Sequence, residues 1–184
     1  MCFKSSKKSD LGQFTKAESK DAFQCYNFFL YLVHNFFQVL IMRLSERLIE
    51  DGIIINSENR EKNALIEELV DALVNAYNLD HRDSILDSVL DRESKLSTGI
   101  GCGLAVPHAK IDHIDKMYMV AMSVKEGVDF EAIDKEPVFL FFLVISPSST
   151  VGPHIKALSS ISRIMADAEV RQQLVNAEST KEFI

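Results

Sequence analysis

Two histidines of the sequence directly follow a proline, at points where a loop meets a predicted helix or strand. His108 follows Pro107, and His154 follows Pro153. Because proline fixes its own φ and restricts the residue before it, each imidazole is held at a defined position. Histidine titrates near neutrality, so it can act in a cell as a nucleophile, a base or a ligand. We therefore expect chemistry first from these two residues; the alternative for each is a half-buried structural imidazole.

An arginine and a glycine-rich loop precede His108. Arg92 lies sixteen positions before it, at the end of a predicted helix. Its guanidinium suits the oxygens of a phosphate, although a surface ion pair is the alternative interpretation. The loop supplies two hydroxyls and two flexible backbone positions, at Ser97, Thr98, Gly99 and Gly101. Hydroxyls and the N–H groups of a glycine loop can form an anion-binding nest, so the pattern predicts a phosphoryl group carried on a histidine nitrogen.

Other chemistries match the sequence less well. The sequence contains no Gly-Lys-Ser or Gly-Lys-Thr triplet of a nucleotide P-loop, and its glycine loop follows a helix rather than the strand of a dinucleotide-binding fold. Cys102 has no indicated partner and is interpreted as a small spacer within the loop. A metal site built from His108, His113 and His154 is a weaker alternative.

Hydrophobic patterning from residue 42 onward predicts one α/β domain. Apolar residues at three-to-four spacing predict helices, and continuous apolar runs predict buried strands. The predicted helices cover 44–48, 60–77 and 83–95, with one more from 154 and a last segment from 168. The predicted strands cover 52–56, 104–106, 117–124 and 137–145, with a turn at 126–130. This order predicts an α/β sandwich with His108 at the end of a strand.

Residues 1–41 differ in composition from the remainder. A start rich in lysine and serine leads into an aromatic and apolar run at 23–41, which has about the length of a membrane span but is interrupted by polar residues. We interpret residues 1–41 as an N-terminal extension and residues 42–184 as the functional domain. The extension has three open interpretations: an unstructured tail or misplaced start codon, a loosely docked helix, or a membrane segment.

Charge and cysteine content bound the function classes. The net charge is −7, and because residues 1–41 contain more lysines than acidic residues, the domain is more acidic still. Proteins that bind nucleic acid without sequence preference neutralise phosphates with lysine and arginine, which excludes that class. The three cysteines are widely spaced and match no zinc pattern. We expect a cytoplasmic protein with reduced thiols.

The residues around His108 resemble a known active-site signature. The match joins Arg92-Glu93, Ser97 to Gly101 and Gly103 to His108, and continues through 126–130, 137–138 and 154–158. This pattern resembles the EIIA domains of the phosphoenolpyruvate-dependent phosphotransferase system, of the fructose and mannitol type, which include the nitrogen-regulatory EIIA proteins. The resemblance covers the chain from about residue 42 to its C-terminus. Cys102 and Ala109 depart from the pattern, but neither removes a group that the chemistry needs.

The resemblance implies a fold, a reaction and partners. The fold is a mixed β-sheet of about five strands with helices on both faces. As a phosphotransferase component, the domain would accept a phosphoryl group on His108 from the phosphohistidine of HPr, or of its nitrogen-branch counterpart, and donate it to an EIIB domain. His154 would orient His108 or its phosphate, and Arg92 would balance the phosphoryl charge. No cofactor is implied, and contact with the membrane is only indirect, through an EIIC partner.

Two roles stay open at this point. The main hypothesis is a phosphocarrier for sugar uptake, and the alternative is a nitrogen-type regulator whose phosphorylation state controls partner proteins. Because both roles would use His108 in the same way, the site residues do not separate them. No EIIB or EIIC segment follows the domain, so we expect a free-standing EIIA, which leans toward regulation.

Overall fold

The computed structural model describes residues 47–184. The three interpretations of residues 1–41 lie outside the described range, as does most of the helix predicted at 44–48. Within residues 47–184, no helix is long and apolar enough to cross a membrane.

Six strands and five α-helices follow one another in the described part of the chain, after a short 3-10 helix at Glu50–Gly52. The strands are β1 (Ile53–Ile54), β2 (Gly99–Gly101), β3 (Leu104–Ala105), β4 (His108–Ile111), β5 (Tyr118–Val128) and β6 (Val138–Pro147). The helices are α1 (Lys62–Tyr77), α2 (Arg82–Lys95), α3 (Gly152–Ile164), α4 (Ala168–Asn176) and α5 (Thr180–Phe183). The helices predicted at 60–77 and 83–95 are therefore α1 and α2.

Strand β6 is the centre of a mixed sheet. It pairs antiparallel with β5 and parallel with both β3 and β4, while β1 runs parallel to β5 and β2 antiparallel to β3. Strands β3 and β4 lie one after the other along β6, because Leu104 is opposite Leu140 and His108 is opposite Val144. The two residues between these strands, Val106 and Pro107, form a short break. His108 is thus held against the middle of the sheet.

Helices cover both faces of the sheet, as the resemblance implies. Successive side chains of a strand point to opposite faces, so the apolar run of β6 supplies two cores. Phe141 packs in the cluster that contains α1 and α2, and Phe142 packs in the cluster that contains α3 and α5. In α1 the buried residues share the predicted helical stripe: Leu65, Ile66, Leu69, Val70 and Leu73.

The glycine-rich segment differs from the predicted irregular loop. Residues Gly99–Gly101 form β2, which turns back at Cys102 to pair with β3. Gly99 is required for packing, since a Cβ there would lie 2.8 Å from the Cα of Ala132. Gly101 has a φ of +95°, a conformation that glycine adopts without strain. These glycines build a tight hairpin.

Two further boundaries differ from the prediction. The turn predicted at 126–130 is largely the end of β5, which continues past a register shift to pair Val128 with Val138. Gly127 permits this with a φ of +72°, in a place where a Cβ would lie 2.7 Å from the ring of Phe139. His108 was expected at the end of a strand, but it begins one, β4, which the sequence pattern does not predict.

Candidate functional site

The backbone that leads into His108 is fixed on both sides. The N–H of Val106 donates to the carbonyl of Thr98 at 3.0 Å, and the N–H of Val144 donates to the carbonyl of Pro107 at 3.0 Å. Proline adds its own restriction on φ at the intervening position. The backbone at Val106 and Pro107 is therefore tied to Thr98 and to β6, which fixes the position from which the imidazole projects.

The hydrogen bonds of His108 define which ring nitrogen carries the proton. Nδ1 lies 2.8 Å from the carbonyl oxygen of Val106. A carbonyl only accepts, so Nδ1 bears the hydrogen and Nε2 keeps its lone pair. The Nε–H of Arg92 donates to that lone pair at 3.2 Å. The half-buried ring thus presents Nε2 as its nucleophilic atom.

The surroundings of His108 favour its neutral form. Burial lowers the pKa of His108, and the positive charge of Arg92 lowers it further. The Val106 carbonyl and the carboxylate of Glu93 act in the opposite direction, but the pKa stays below its ordinary value. A ring that is neutral at pH 7 has the lone pair that a nucleophile requires.

His154 lies against His108 from the neighbouring helix. It stands in the first turn of α3 after Pro153, and only 5% of its surface is exposed. The two ring centroids are 5.4 Å apart with planes inclined at 60°, and Nδ1 of His154 lies 2.8 Å from Oγ of Ser146. Burial, followed by the charges of His108 and Lys110, lowers the pKa of His154 to about 4. At physiological pH, His154 is therefore a neutral ring packed against His108.

Arg92 reaches the site from the last turn of α2. Its Nη1 donates to the carbonyl of Leu96 at 2.8 Å, which binds a carbonyl left unpaired where the helix ends. The same guanidinium donates to Nε2 of His108. The bond to Leu96 orients the guanidinium, so the positive charge of Arg92 is held beside Nε2 of His108.

A surface cavity of about 330 Å³ opens over these groups. The predicted site residues that line it are Arg92, Ser97, Thr98, Gly99 and His108. Its other walls are mostly apolar, at Leu96, Ile100, Val106, Ile133 and Leu158. His154 lies behind His108 rather than in the wall, and Gly101 also lies outside it. The structure thus brings five of the seven predicted residues into one cavity and places the ring of His154 against that of His108.

The predicted nest of free donors is not what the loop provides. The Thr98 N–H donates to the carboxylate of Glu93 at 3.0 Å, and the Thr98 hydroxyl donates to it at 2.5 Å. The Ser97 hydroxyl donates to the carbonyl of Phe130 at 2.9 Å, and the Gly99 N–H donates to Ser97 Oγ at 3.2 Å. These donors already have protein partners, and Gly101 forms part of the β2–β3 hairpin. A phosphate-binding role for the four residues stays a prediction.

Two charged residues were missed as part of the site. Glu93 is a buried residue of α2, and Nζ of Lys62, at the start of α1, lies 2.9 Å from its carboxylate. Glu93 is visible in the sequence only as the neighbour of Arg92. Lys62 gives no local signal, because its partner is thirty-one residues away.

The alternative metal site is not assembled. The ring of His113 packs against that of His81, with 4.6 Å between centroids, rather than near His108 and His154. Among residues 47–184, no group of three or more histidine, cysteine, aspartate or glutamate side chains could hold a metal ion.

Comparison with known proteins places this arrangement in a family. Residues 47–184 match the family model described as "Phosphoenolpyruvate-dependent sugar phosphotransferase system, EIIA 2". The chain belongs to this family. The match includes the whole described sheet and the cavity, so the resemblance seen around His108 is confirmed at the level of the family.

Relatives of this EIIA domain include transport components and a regulator. It is 39% identical over 118 residues to the fructose-specific EIIA component of Haloferax volcanii, covering 64% of this chain and 77% of that protein. It is 36% identical over 143 residues to the fructose-specific EIIABC component of Bacillus subtilis, covering 78% of this chain but only 22% of that longer protein. The structure of nitrogen regulatory protein IIA-Ntr from Neisseria meningitidis is 28% identical, with a TM-score of 0.69 over 74% of this chain and 93% of that one.

Proposed function

We propose that this EIIA domain carries a phosphoryl group on Nε2 of His108. The observation that supports the proposal best is the tautomer: Nδ1–H is bound to the Val106 carbonyl, and Nε2 faces the guanidinium of Arg92. The donor is the phosphohistidine of an HPr-like protein, and the acceptor is an EIIB domain during sugar uptake in the cytoplasm. The names of two relatives, which are fructose-specific components of the phosphotransferase system, support the sugar-uptake part of this proposal.

The transfer forms one bond and breaks one. Nε2 of His108 attacks phosphorus in line, the N–P bond of the donor breaks, and its electron pair returns to the donor imidazole. No proton needs to leave His108, because Nε2 enters with a free lone pair. The ring then carries positive charge, and the Val106 carbonyl stabilises it through Nδ1–H. Donation to EIIB is the same exchange in reverse, with His108 as the leaving group.

Arg92 changes partner during this reaction. Its Nε–H donates to the lone pair of Nε2 before transfer, and that lone pair becomes the N–P bond. The guanidinium is then free to donate to the phosphoryl oxygens, which it reaches without leaving the helix end that orients it. Phosphoryl transfer depends mainly on positioning and charge stabilisation, so these groups suffice without a cofactor. His154 contributes by limiting rotation of the His108 ring.

Incubation with phosphoenolpyruvate, enzyme I and HPr tests this proposal. We expect one acid-labile phosphoryl adduct that is lost in His108→Ala and kept in His113→Ala, a matched control whose ring packs elsewhere. An adduct of equal yield in His108→Ala contradicts the assignment.

A regulatory role is the second candidate, supported by the likeness to the Neisseria regulatory protein. In that role the phosphorylation state of His108 would control binding to a target protein. The two roles differ in the acceptor: phosphoryl transfer onward to a fructose-type EIIB supports transport. Stable phosphorylation with no transfer to any EIIB encoded in the same genome supports regulation.

A further inference from the structure

A charged side chain is buried next to the cavity without lining it. The side chain of Glu93 is 4% exposed. It accepts the N–H and the hydroxyl of Thr98, and it pairs with Lys62 at 2.9 Å. Lys62 also binds the exposed carboxylate of Glu131 at 2.7 Å. No buried polar side-chain atom of this cluster therefore lacks a partner in the described part of the chain.

From this cluster a continuous series of hydrogen bonds reaches the imidazole of His108. Lys62 binds Glu93, and Glu93 accepts the N–H of Thr98 at 3.0 Å. The carbonyl of Thr98 accepts the N–H of Val106 at 3.0 Å, and the carbonyl of Val106 accepts Nδ1–H of His108 at 2.8 Å. Each bond fixes the residue that makes the next one. The Val106 carbonyl, which selects the His108 tautomer, is thus linked to the buried carboxylate through the backbone of Thr98.

Stability alone does not explain a buried ion pair at this place. Removing two charges from water costs several kcal/mol, and apolar replacements of such pairs are often as stable or more so. The pair does, however, join three elements that must keep their relative positions: the start of α1, the end of α2 and the start of β2. Glu93 is also the next residue after Arg92, so the same bonds hold the helix turn from which the guanidinium reaches Nε2.

We propose that Glu93, paired with Lys62, is a positioning residue that sets the tautomer of His108 and the approach of Arg92. The proposal rests on the proposed phosphoryl transfer only for its effect on rate. Its effect on the His108 ring exists without any phosphoryl donor. The two can therefore fail separately.

The charges that face His108 make the effect measurable. From α2 come Arg92 and Glu93, and from α3 comes the neutral His154, beside Lys110 of β4. Burial lowers the pKa of His108, while its bond to Val106 and the negative charge of Glu93 both raise it. Loss of the Glu93 charge and loosening of the Val106 bond therefore act in the same direction. Both move the pKa of His108 further down.

Glu93→Gln tests the proposal, because it removes the charge and changes the volume little. By ¹⁵N NMR of the ring nitrogens we expect the single Nδ1–H form of His108 to become a mixture of tautomers, with a lower pKa. Phosphorylation by HPr is expected to slow about tenfold, since small displacements of reacting groups cost rate steeply. The control is Glu67→Gln. Glu67 lies on the same helix as Lys62, and its exposed carboxylate pairs with Arg82. It should leave both readouts unchanged.

Thr98→Val supplies a second test if Glu93→Gln does not fold. It deletes the hydrogen bond from the Thr98 hydroxyl to the carboxylate and keeps the bonds from the N–H, the charge and its pairing with Lys62. A partial shift of the His108 ring nitrogens toward the tautomer mixture is expected, and Thr98→Ser should restore the wild-type spectrum. Unchanged ring nitrogen shifts in a folded Glu93→Gln, or in Thr98→Val, overturn the proposal. A wild-type protein that accepts no phosphoryl group from HPr would overturn the proposed function, but it would not overturn the positioning role of Glu93.

Discussion

The Nδ1 atom of His108 lies 2.8 Å from the carbonyl oxygen of Val106, only two residues earlier in the chain. Pro107 stands between them and gives the turn its fixed φ. The chain therefore supplies the acceptor that selects the His108 tautomer, and hydrogen bonds to Thr98 and β6 hold the turn in place. The other ring nitrogen, Nε2, keeps its lone pair and faces Arg92.

Substitution of Arg92 by glutamine should raise the pKa of His108. The guanidinium lowers that pKa by its charge, so removing it moves the midpoint of the His108 titration upward in NMR spectra. Phosphorylation should also slow by about tenfold to a hundredfold, because the phosphoryl charge loses its partner. Arg60→Gln removes an exposed arginine paired with Glu126 and serves as control. A His108 midpoint that does not rise in Arg92→Gln would count against the contact between the two side chains.

Protonation of His154 should make the folded protein less stable in mild acid. Its pKa is about 4 in the folded state, whereas an unfolded histidine titrates near pH 6.5. The stabilisation is therefore complete above pH 6.5 and is lost as the pH falls from 6.5 to 4, to a total of about 3 kcal/mol. Urea unfolding of the wild type and His154→Gln at several pH values measures this. As the pH falls through that window, the wild type should lose about 3 kcal/mol relative to His154→Gln, and a difference that stays constant would refute the assignment.

Gly99→Ala should destabilise the domain through a steric clash. The added Cβ would lie 2.8 Å from the Cα of Ala132. Since the other near atoms are the Cβ and N of the same residue, no flexible side chain is available to move away. We expect a loss of about 1–3 kcal/mol in the free energy of unfolding. Gly152→Ala is the matched control, since nothing lies within 4 Å of its added Cβ, and it should be neutral. Equal effects of the two substitutions would contradict the packing described for β2.

Elements with a strong hydrophobic period were predicted well from the sequence. Helix α1 shows its apolar stripe over sixteen residues, and β6 has an unbroken apolar run, so both were located to within about two residues. Strand β4 was missed because it has only four residues, and two of them, His108 and Lys110, are polar. So short a segment contains too few apolar residues to show an alternating pattern. Its pairing with β6 is set by tertiary contacts that a local pattern does not contain.

The candidate site was predicted in part for a similar reason. His108 and Arg92 were identified by residue type and by the family pattern, and the structure brings them together. The roles of Ser97, Thr98 and Gly99 could not be read locally, because the partners of their donors are fixed by the fold. The Lys62–Glu93 pair is also invisible in sequence, since it joins residues of different helices.

The position of the phosphoryl group on His108 tests the account most directly. The protein labelled with ¹⁵N-histidine is phosphorylated with phosphoenolpyruvate, enzyme I and HPr, and the ring nitrogens are observed by ¹⁵N and ³¹P NMR. The account predicts a one-bond coupling between phosphorus and Nε2 of His108, with the proton still on Nδ1. A coupling to Nδ1 of His108, or to any nitrogen of His154, would contradict it.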